Sequence, residues 1–196
     1  MMIPKQSKAK QATTIAITAA LYATFFLLSF SISVPTFTLL YLPIILLGVF
    51  PIWFGWSGLV GSIIGAFIGG VYVEALPLHL AWVEITTAVV IYGLNWLLIP
   101  KMAAAANTKK STVVLSSIYA ISLFLGTCFI LWQFTAVGLF TPEFAWPLLP
   151  GTFLLNLPFV LIACPALIRA ISPKLKLWGM YAGTFAEWRS CKVKAS

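Results

Sequence analysis

The sequence predicts an all-α, polytopic membrane protein with six transmembrane helices and both termini in the cytoplasm. Three observations support this fold class. Hydrophobic residues make up 61% of the 196 residues and charged residues only 8%, a composition far from that of soluble domains. The chain contains six long apolar runs, and its Lys and Arg residues lie between these runs or at their ends. The cations occur only in alternate gaps, which is the distribution expected from the positive-inside rule.

The cations form three groups, and the rule assigns each group to the cytoplasm. The groups are Lys5, Lys8 and Lys10; Lys101, Lys109 and Lys110; and Arg169, Lys174, Lys176, Arg189, Lys192 and Lys194. Glu74, Glu84 and Glu143 mark the opposite side of the membrane, whereas Glu187 lies among the cations. We therefore expect the +8 net charge to contact anionic lipid at the cytoplasmic face. Nucleic acid is not expected as a partner, because basic and aromatic residues are not interleaved in one patch.

This topology divides the chain into three parts. Residues 1–11 form a cytoplasmic N-terminus, residues 12–172 a six-helix membrane domain, and residues 173–196 a cytoplasmic amphipathic tail. We expect a multi-pass protein of the cell (plasma) membrane. The membrane runs occupy so much of the 196 residues that no soluble catalytic domain is expected.

The first run is long enough to cross a bilayer as one helix, whereas the second is short. Residues 12–34 are too long for a secretory signal and lack a small-residue cleavage site, so they predict an uncleaved first helix that runs outward. Residues 39–54 contain Pro43 and Pro51. At ~1.5 Å per residue this run reaches roughly 24 Å, which is less than the bilayer core of about 30 Å. We expect it to be kinked, unwound or assisted by its neighbours.

The third run, residues 57–76, has a glycine-rich face. Its small residues are Gly58, Gly61, Gly65 and Gly69, with Ser62, Ala66 and Gly70 one position further on. Small residues at this spacing allow helix backbones to approach closely in lipid. The face predicts close packing against another helix, with a sliding surface for conformational change as the alternative.

The last three runs complete the predicted bundle. Residues 81–99 return to the cytoplasm, and residues 112–140 are long enough to tilt. The sixth run begins between residues 147 and 152 and ends near residue 171. Pro158 and Pro165 predict kinks within it, and neighbouring helices can satisfy the carbonyls that these prolines leave unpaired.

The tail places Trp178, Tyr181, Phe185 and Trp188 at helical spacing among cations. This pattern predicts an interfacial helix whose aromatic side chains enter the acyl boundary while the cations face anionic headgroups. A disordered tail is the alternative.

Several kinds of chemistry are not expected. The chain has no Asp and one His, so we expect neither enzyme activity nor a cofactor. His79 with Glu74 and Glu84 is a weak ligand set, and no metal site is predicted. Ser57 lies in a G-x-S-G pattern, but the third helix separates it from His79 by ~30 Å, too far for a nucleophile and its base.

Polar and aromatic residues concentrate in the predicted outer half of the membrane, which predicts a substrate site there. The candidates are Tyr72, Glu74, His79, Trp82, Glu84, Trp132, Gln133, Glu143, Trp146 and Asn156. Glu84, Ala88, Ile91 and Asn95 share one helical face, which we expect to point into the bundle. Membership of an aromatic belt at the membrane boundary is the alternative for the Trp residues.

The charge of this outer cluster restricts its ligand. It contains three carboxylates and no Lys or Arg, so a polyanion would be repelled. A neutral or cationic, ring-containing small molecule fits better, because aromatic faces and a carboxylate attract organic cations.

The segment from Lys10 to Thr24, KQATTIAITAALYAT, resembles the first helix of the substrate-binding S components of energy-coupling factor (ECF) transporters. In that family an A-x-x-x-A motif on helix one docks on the transmembrane T component. Ala16 and Ala20 fit this motif, and Ala19 with Ala23 gives an overlapping copy. In length and topology the resemblance covers residues 10–172.

The resemblance implies a six-helix protein that captures a vitamin-like micronutrient and works with a T component and two ATPase subunits. The chain has no Walker motif, so ATP hydrolysis would belong to those partners. No substrate signature of the family is carried over, and the candidate site residues rest on topology. Two alternatives remain: a stand-alone small-solute permease, and a membrane sensory or scaffold module.

Overall fold

All the regular secondary structure in the described part of the chain is helical. The computed structural model describes residues 7–30, 39–73 and 76–193, without the side chains of residues 30, 73 and 191–193. Its α-helices are α1 (Lys8–Phe30), α2 (Pro43–Ile68), α3 (Trp82–Leu98), α4 (Lys109–Ala136), α5 (Pro142–Pro158), α6 (Cys164–Leu177) and α7 (Phe185–Val193). Two π-helical turns, Gly69–Val73 and Phe159–Ala163, extend α2 and α5, and a 3₁₀ turn, Leu78–Leu80, precedes α3. The all-α prediction is confirmed for these residues.

Five helical segments are long and apolar enough to cross a membrane. They are Lys8–Ser29, Pro43–Tyr72, Leu78–Leu98, Lys109–Ala136 and Pro142–Leu177. Each is longer than the ~20 residues that a helix needs to cross a bilayer core. Their number and composition agree with a multi-pass membrane protein.

Helix α2 consists of two arms joined at Gly55. Gly55 has φ 52° and ψ −126°, a conformation that residues with a side chain rarely adopt, and it ends the first arm at residue 54. Tyr41, before the first arm, hydrogen-bonds Glu84, and Gly70, after the second arm, also packs against Glu84. The start of the first arm and the end of the second arm therefore lie beside the same residue, so the two arms are antiparallel. With the two arms counted separately, the described residues form six helical passes along the bundle.

The two ends of the bundle differ in charge. At one end Lys10 Nζ donates to the carbonyl of Trp178 at 2.6 Å, and Lys101 Nζ lies 3.8 Å from Glu187 Oε1. We call this the basic end. The opposite end carries residues 39–42, 76–81 and 137–141, which contain no Lys or Arg, and we call it the cation-free end. The structure thus places Lys10 of the first cation group and Lys101 of the second beside the C-terminal segment that contains the third.

The second arm of α2 packs directly on α1. Successive contacts join Gly61 to Thr18, Gly65 to Tyr22, and Gly69 to Phe26. The residue numbers on both helices increase together, so α1 and this arm run parallel. A Cβ atom at Gly65 would lie 2.5 Å from Tyr22 Cβ and 3.0 Å from the carbonyl oxygen of Ala19. The glycines are therefore needed for this backbone approach.

Two of the carbonyls that helix prolines leave without an N–H donor have polar partners on neighbouring helices. Pro51 lacks an N–H, so the carbonyl of Leu47 loses its usual partner one turn later. The side-chain amide of Asn95 donates to that carbonyl at 3.1 Å. Similarly, the Ser116 hydroxyl lies 3.4 Å from the carbonyl of Leu161, which Pro165 leaves without an N–H donor. These contacts explain how broken helices remain stable in an apolar bundle.

We expect Asn95→Leu to lower the free energy of unfolding by about 1 kcal/mol, because it leaves a buried carbonyl without a donor. In a Pro51→Ala background, the restored N–H supplies that donor, and Asn95→Leu should cost less. Unfolding of the four proteins in detergent micelles gives the double-mutant cycle. Equal costs in both backgrounds would show that Asn95 does not act through the Leu47 carbonyl.

The C-terminal segment folds back on the basic end of the bundle. Helix α6 continues to Leu177, so the domain boundary predicted after residue 172 falls inside it. The backbone N–H groups of Ala182 and Gly183 donate to the carbonyls of Trp53 and Ile52, both at 2.9 Å. Helix α7 follows, and its first turn is capped by Glu187, whose Oε2 accepts from the N–H of Thr184 at 3.0 Å.

The tail does not form the single helix that the spacing of its aromatic residues predicts. Trp178 follows the end of α6 and is exposed, Tyr181 lies in the non-helical segment 180–184, and Phe185 with Trp188 lies on α7. The ring centroids of Phe185 and Trp188 lie 5.4 and 5.7 Å from that of Trp96. Hydrogen bonds from residues 182–183 to the α2 hairpin interrupt the helix, so these two rings pack on the bundle.

Tyr181 is held between charged groups in this segment. Burial, together with the negative charge of Glu187, raises the pKa of Tyr181. The ammonium of Lys176 lies 4.5 Å from the centre of its ring, within the range of a cation–π contact. The phenol therefore stays protonated at neutral pH and acts as a packing residue with a cationic neighbour.

Candidate functional site

A small cavity lies between α2, α3, α4 and α5 near the cation-free end. Its volume is about 40 Å³, which is room for a few water molecules or one small polar group. Most of its wall is apolar. The lining residues are Tyr41, Ile44, Glu84, Thr87, Ile91, Leu123, Gly126, Thr127, Ile130, Thr152 and Asn156. An apolar wall with a few directed polar groups is typical of small-molecule sites.

Glu84 is the acidic residue of this cavity and has no solvent exposure. The Tyr41 hydroxyl donates to Glu84 Oε2 at 3.3 Å. The hydroxyls of Tyr41 and Tyr22 lie 2.6 Å apart, and either can be the donor. A buried carboxylate is costly unless hydrogen bonds or a cation stabilise its charge. The two tyrosines thus connect the carboxylate to the α1 surface that packs on Gly65.

Asn156 fixes the chain before α2. Its Oδ1 accepts from the backbone N–H of Tyr41 at 2.8 Å, and its Nδ2 donates to the carbonyls of Leu39 and Thr152, both at 2.8 Å. These bonds engage both ends of the amide. Asn156 therefore positions Tyr41 beside Glu84.

Thr152, one turn before Asn156, also lines the cavity. The residue is 5% exposed, and its Oγ1 has no hydrogen-bond partner among the described residues. A buried hydroxyl without a partner carries a desolvation cost. This side chain adds an unused polar group to the wall of the cavity.

Gln133 lies next to the cavity and hydrogen-bonds a residue of its wall. Its Nε2 donates to Thr86 Oγ1 at 2.5 Å, and its Oε1 accepts from the Thr87 hydroxyl at 2.8 Å. Thr87 itself lines the cavity. Gln133 thus joins α4 to α3 and orients a lining residue, without lining the cavity.

The structure brings together three of the predicted site residues: Glu84 and Asn156 in the wall and Gln133 next to it. The face of α3 with Glu84, Ala88, Ile91 and Asn95 points into the bundle, as predicted. Other candidates lie on the surface and do not line the cavity: Tyr72, His79, Trp82, Trp132, Glu143 and Trp146. Glu74 lies outside the described residues. Surface positions of the Trp residues agree with the aromatic-belt alternative.

Several lining residues were not among the sequence-based candidates. Tyr41 and Thr152 lie on different helical runs from Glu84, and nothing in their local pattern indicates that they converge. Thr87 has a local indication, because it lies one turn after Glu84 on the inward face of α3. Gly126 also lines the cavity. A Cβ there would collide with the Ile91 side chain, so α4 approaches α3 closely at this point.

The two overlapping alanine motifs on α1 face different ways. Ala16 and Ala20 are exposed on the outer surface of the helix. Ala19 is buried against the second arm of α2, where its carbonyl approaches Gly65, and Ala23 is half-buried. Ala16 and Ala20 are therefore available to a partner, whereas Ala19 packs within the bundle.

Comparison with known proteins gives no relative from which a function can be transferred. No protein-family model, no curated protein sequence and no solved structure matches this chain.

Proposed function

We propose that this protein is the membrane-embedded substrate-capture subunit of an ATP-driven, ECF-type micronutrient importer. It binds a neutral or cationic, ring-containing, vitamin-like solute. The observation that carries this proposal is the cavity at the cation-free end. Its apolar wall contains a buried carboxylate and a hydroxyl that has no partner among the described residues. Such a wall holds a small solute by apolar contact and selects it by a few polar contacts.

The proposed topology places the basic end in the cytoplasm and the cavity in the outer half of the membrane. The clustering of Lys10, Lys101 and the α6 terminus at one end supports this orientation. Lys174 and Lys176 then face the anionic headgroups of the inner leaflet. The cavity is positioned to take its solute from outside the plasma membrane.

Capture of a ring-containing solute requires the cavity to widen. Sites for such ligands are about 300–1,000 Å³ in volume, well above the 40 Å³ found here. Two π-helical turns adjoin the lining elements, Gly69–Val73 beside Glu84 and Phe159–Ala163 after Asn156. Turns of this kind are frequent at functional sites. We propose that rearrangement at these turns opens the cavity.

The outer face of α1 is the proposed docking surface for the T component, which in turn recruits two ATPase subunits. Its centre is formed by Ala16 and Ala20, whose small side chains allow another helix to approach closely. The chain itself contributes binding and no ATP hydrolysis. A stand-alone permease or a sensory module would not need this surface.

Co-purification with a T component and an ATPase pair from the same source tests the proposal. We expect the tagged wild-type protein to recover all partners in detergent, and Ala16→Trp with Ala20→Trp to abolish recovery. Leu21→Trp with Leu28→Trp is the matched control, because both leucines are exposed on another flank of α1. Full recovery with Ala16→Trp and Ala20→Trp would exclude this docking surface, and no recovery with wild type would favour a permease or sensor.

A further inference from the structure

The polar groups that line the cavity differ in how many hydrogen bonds they already make within the protein. Asn156 uses its amide oxygen and nitrogen on the backbone of Leu39, Tyr41 and Thr152. Thr127 donates its hydroxyl to the carbonyl of Leu123 at 2.8 Å. Thr152 Oγ1, by contrast, is buried and has no partner in the described chain. Thr152 Oγ1 can therefore both donate to and accept from a bound molecule without displacing an existing bond.

We propose that the cavity recognises a primary ammonium group carried on a short apolar chain. This inference deepens the proposed function by naming the part of the substrate that is bound. An ammonium has three N–H donors, and the cavity offers acceptors in the Glu84 carboxylate and Thr152 Oγ1. Ile44, Ile91 and Ile130 supply apolar surface for the attached carbon chain.

Hydrogen-bonding capacity and charge distinguish this ligand from others. A primary ammonium can donate to Glu84 and Thr152, which both line the cavity, whereas a quaternary ammonium has no N–H to donate. A hard metal ion such as Ca²⁺ takes 6–8 oxygen ligands, and much of this wall is hydrocarbon. An anionic group would meet the carboxylate of Glu84 at close range.

Calorimetric titration of the full-length protein in detergent micelles with n-propylammonium chloride tests the inference. We expect saturable binding at millimolar concentration. Propan-1-ol, tetramethylammonium chloride and sodium chloride at the same concentrations should each bind at least about tenfold more weakly. Propan-1-ol lacks the positive charge, tetramethylammonium lacks N–H donors, and sodium lacks both N–H donors and an apolar chain. Propan-1-ol or sodium binding as tightly as propylammonium would overturn the proposal.

Two cavity variants sharpen the test. Thr152→Val keeps the side-chain shape and removes the hydroxyl, so affinity for n-propylammonium should fall about fivefold while thermal stability holds or rises. Glu84→Gln should lower affinity by about tenfold or more. Glu143→Gln is the matched control, because Glu143 is an exposed carboxylate that does not line the cavity, and it should bind like wild type.

The outcomes separate this inference from the proposed importer function. Wild-type affinity in Thr152→Val would overturn the assigned ligand contact, even if Glu84→Gln fails to fold. Undetectable n-propylammonium binding together with intact recovery of the T component would refute the ammonium specificity alone. Ammonium binding without any partner recovery would refute the importer function and leave the ligand assignment standing.

Discussion

Replacing Gly65 with alanine is expected to destabilise the bundle by about 1–3 kcal/mol, the usual cost of overpacking a tight interface. The added methyl group would lie 2.5 Å from Tyr22 Cβ and 3.0 Å from the Ala19 carbonyl oxygen. A backbone carbonyl cannot rotate away, so α1 must shift relative to the second arm of α2. That shift also moves Tyr22, which is hydrogen-bonded to Tyr41 beside Glu84. We therefore expect weaker ligand binding as well as a lower midpoint of thermal unfolding in detergent.

Gly93→Ala is the matched control for this substitution. Gly93 also lies within a helix, but a Cβ there would meet nothing within 4 Å. Alanine has the higher helix propensity, so Gly93→Ala should leave stability unchanged or raise it by up to about 1 kcal/mol. If Gly65→Ala and Gly93→Ala have the same midpoint, the close packing of α1 on α2 is not a source of stability.

Trp96→Ala is expected to release the C-terminal segment and to lower the free energy of unfolding by about 3–5 kcal/mol. Trp96 is 4% exposed, and its Nε1 donates to the carbonyl of Gly183 at 3.3 Å. Its ring contacts the rings of Tyr92, Trp56, Phe185 and Trp188. Without it, α7 loses most of its aromatic support. Trypsin cleavage at Arg189 should become at least several-fold faster.

Trp132→Ala serves as the comparison, because Trp132 is exposed and stacks on Phe129 alone among the described rings. It should change stability by less than about 1 kcal/mol and leave cleavage at Arg189 unaffected. If Trp96→Ala and Trp132→Ala show the same cleavage rate as wild type, the tail is held by something other than the aromatic cluster. Partition of α7 into the membrane interface would be the next explanation to test.

The candidate site was only partly predictable from the sequence. Glu84 was identifiable because an acidic residue on an apolar helix is costly and rarely placed without a role. Trp82 and Trp146 were candidates because of their predicted depth in the membrane. Depth does not determine which way a side chain points, and both residues lie on the surface. Tyr41 reaches the cavity through a hydrogen bond with Asn156, and Thr152 lines it because α5 packs beside α2, α3 and α4. Such contacts between distant segments leave no local pattern.

The sequence by itself determined the all-helical class, the apolar helical segments and the grouping of cations apart from acids, because these depend on composition and on the spacing of charges along the chain. Tertiary structure decided the rest. Gly55 forms the turn that divides α2 into two arms, and it lies against Trp96 and Ala182. Backbone hydrogen bonds from residues 182–183 to that hairpin interrupt the predicted tail helix. The cavity exists because side chains from four helices meet there, and only three-dimensional packing determines which of them face one another.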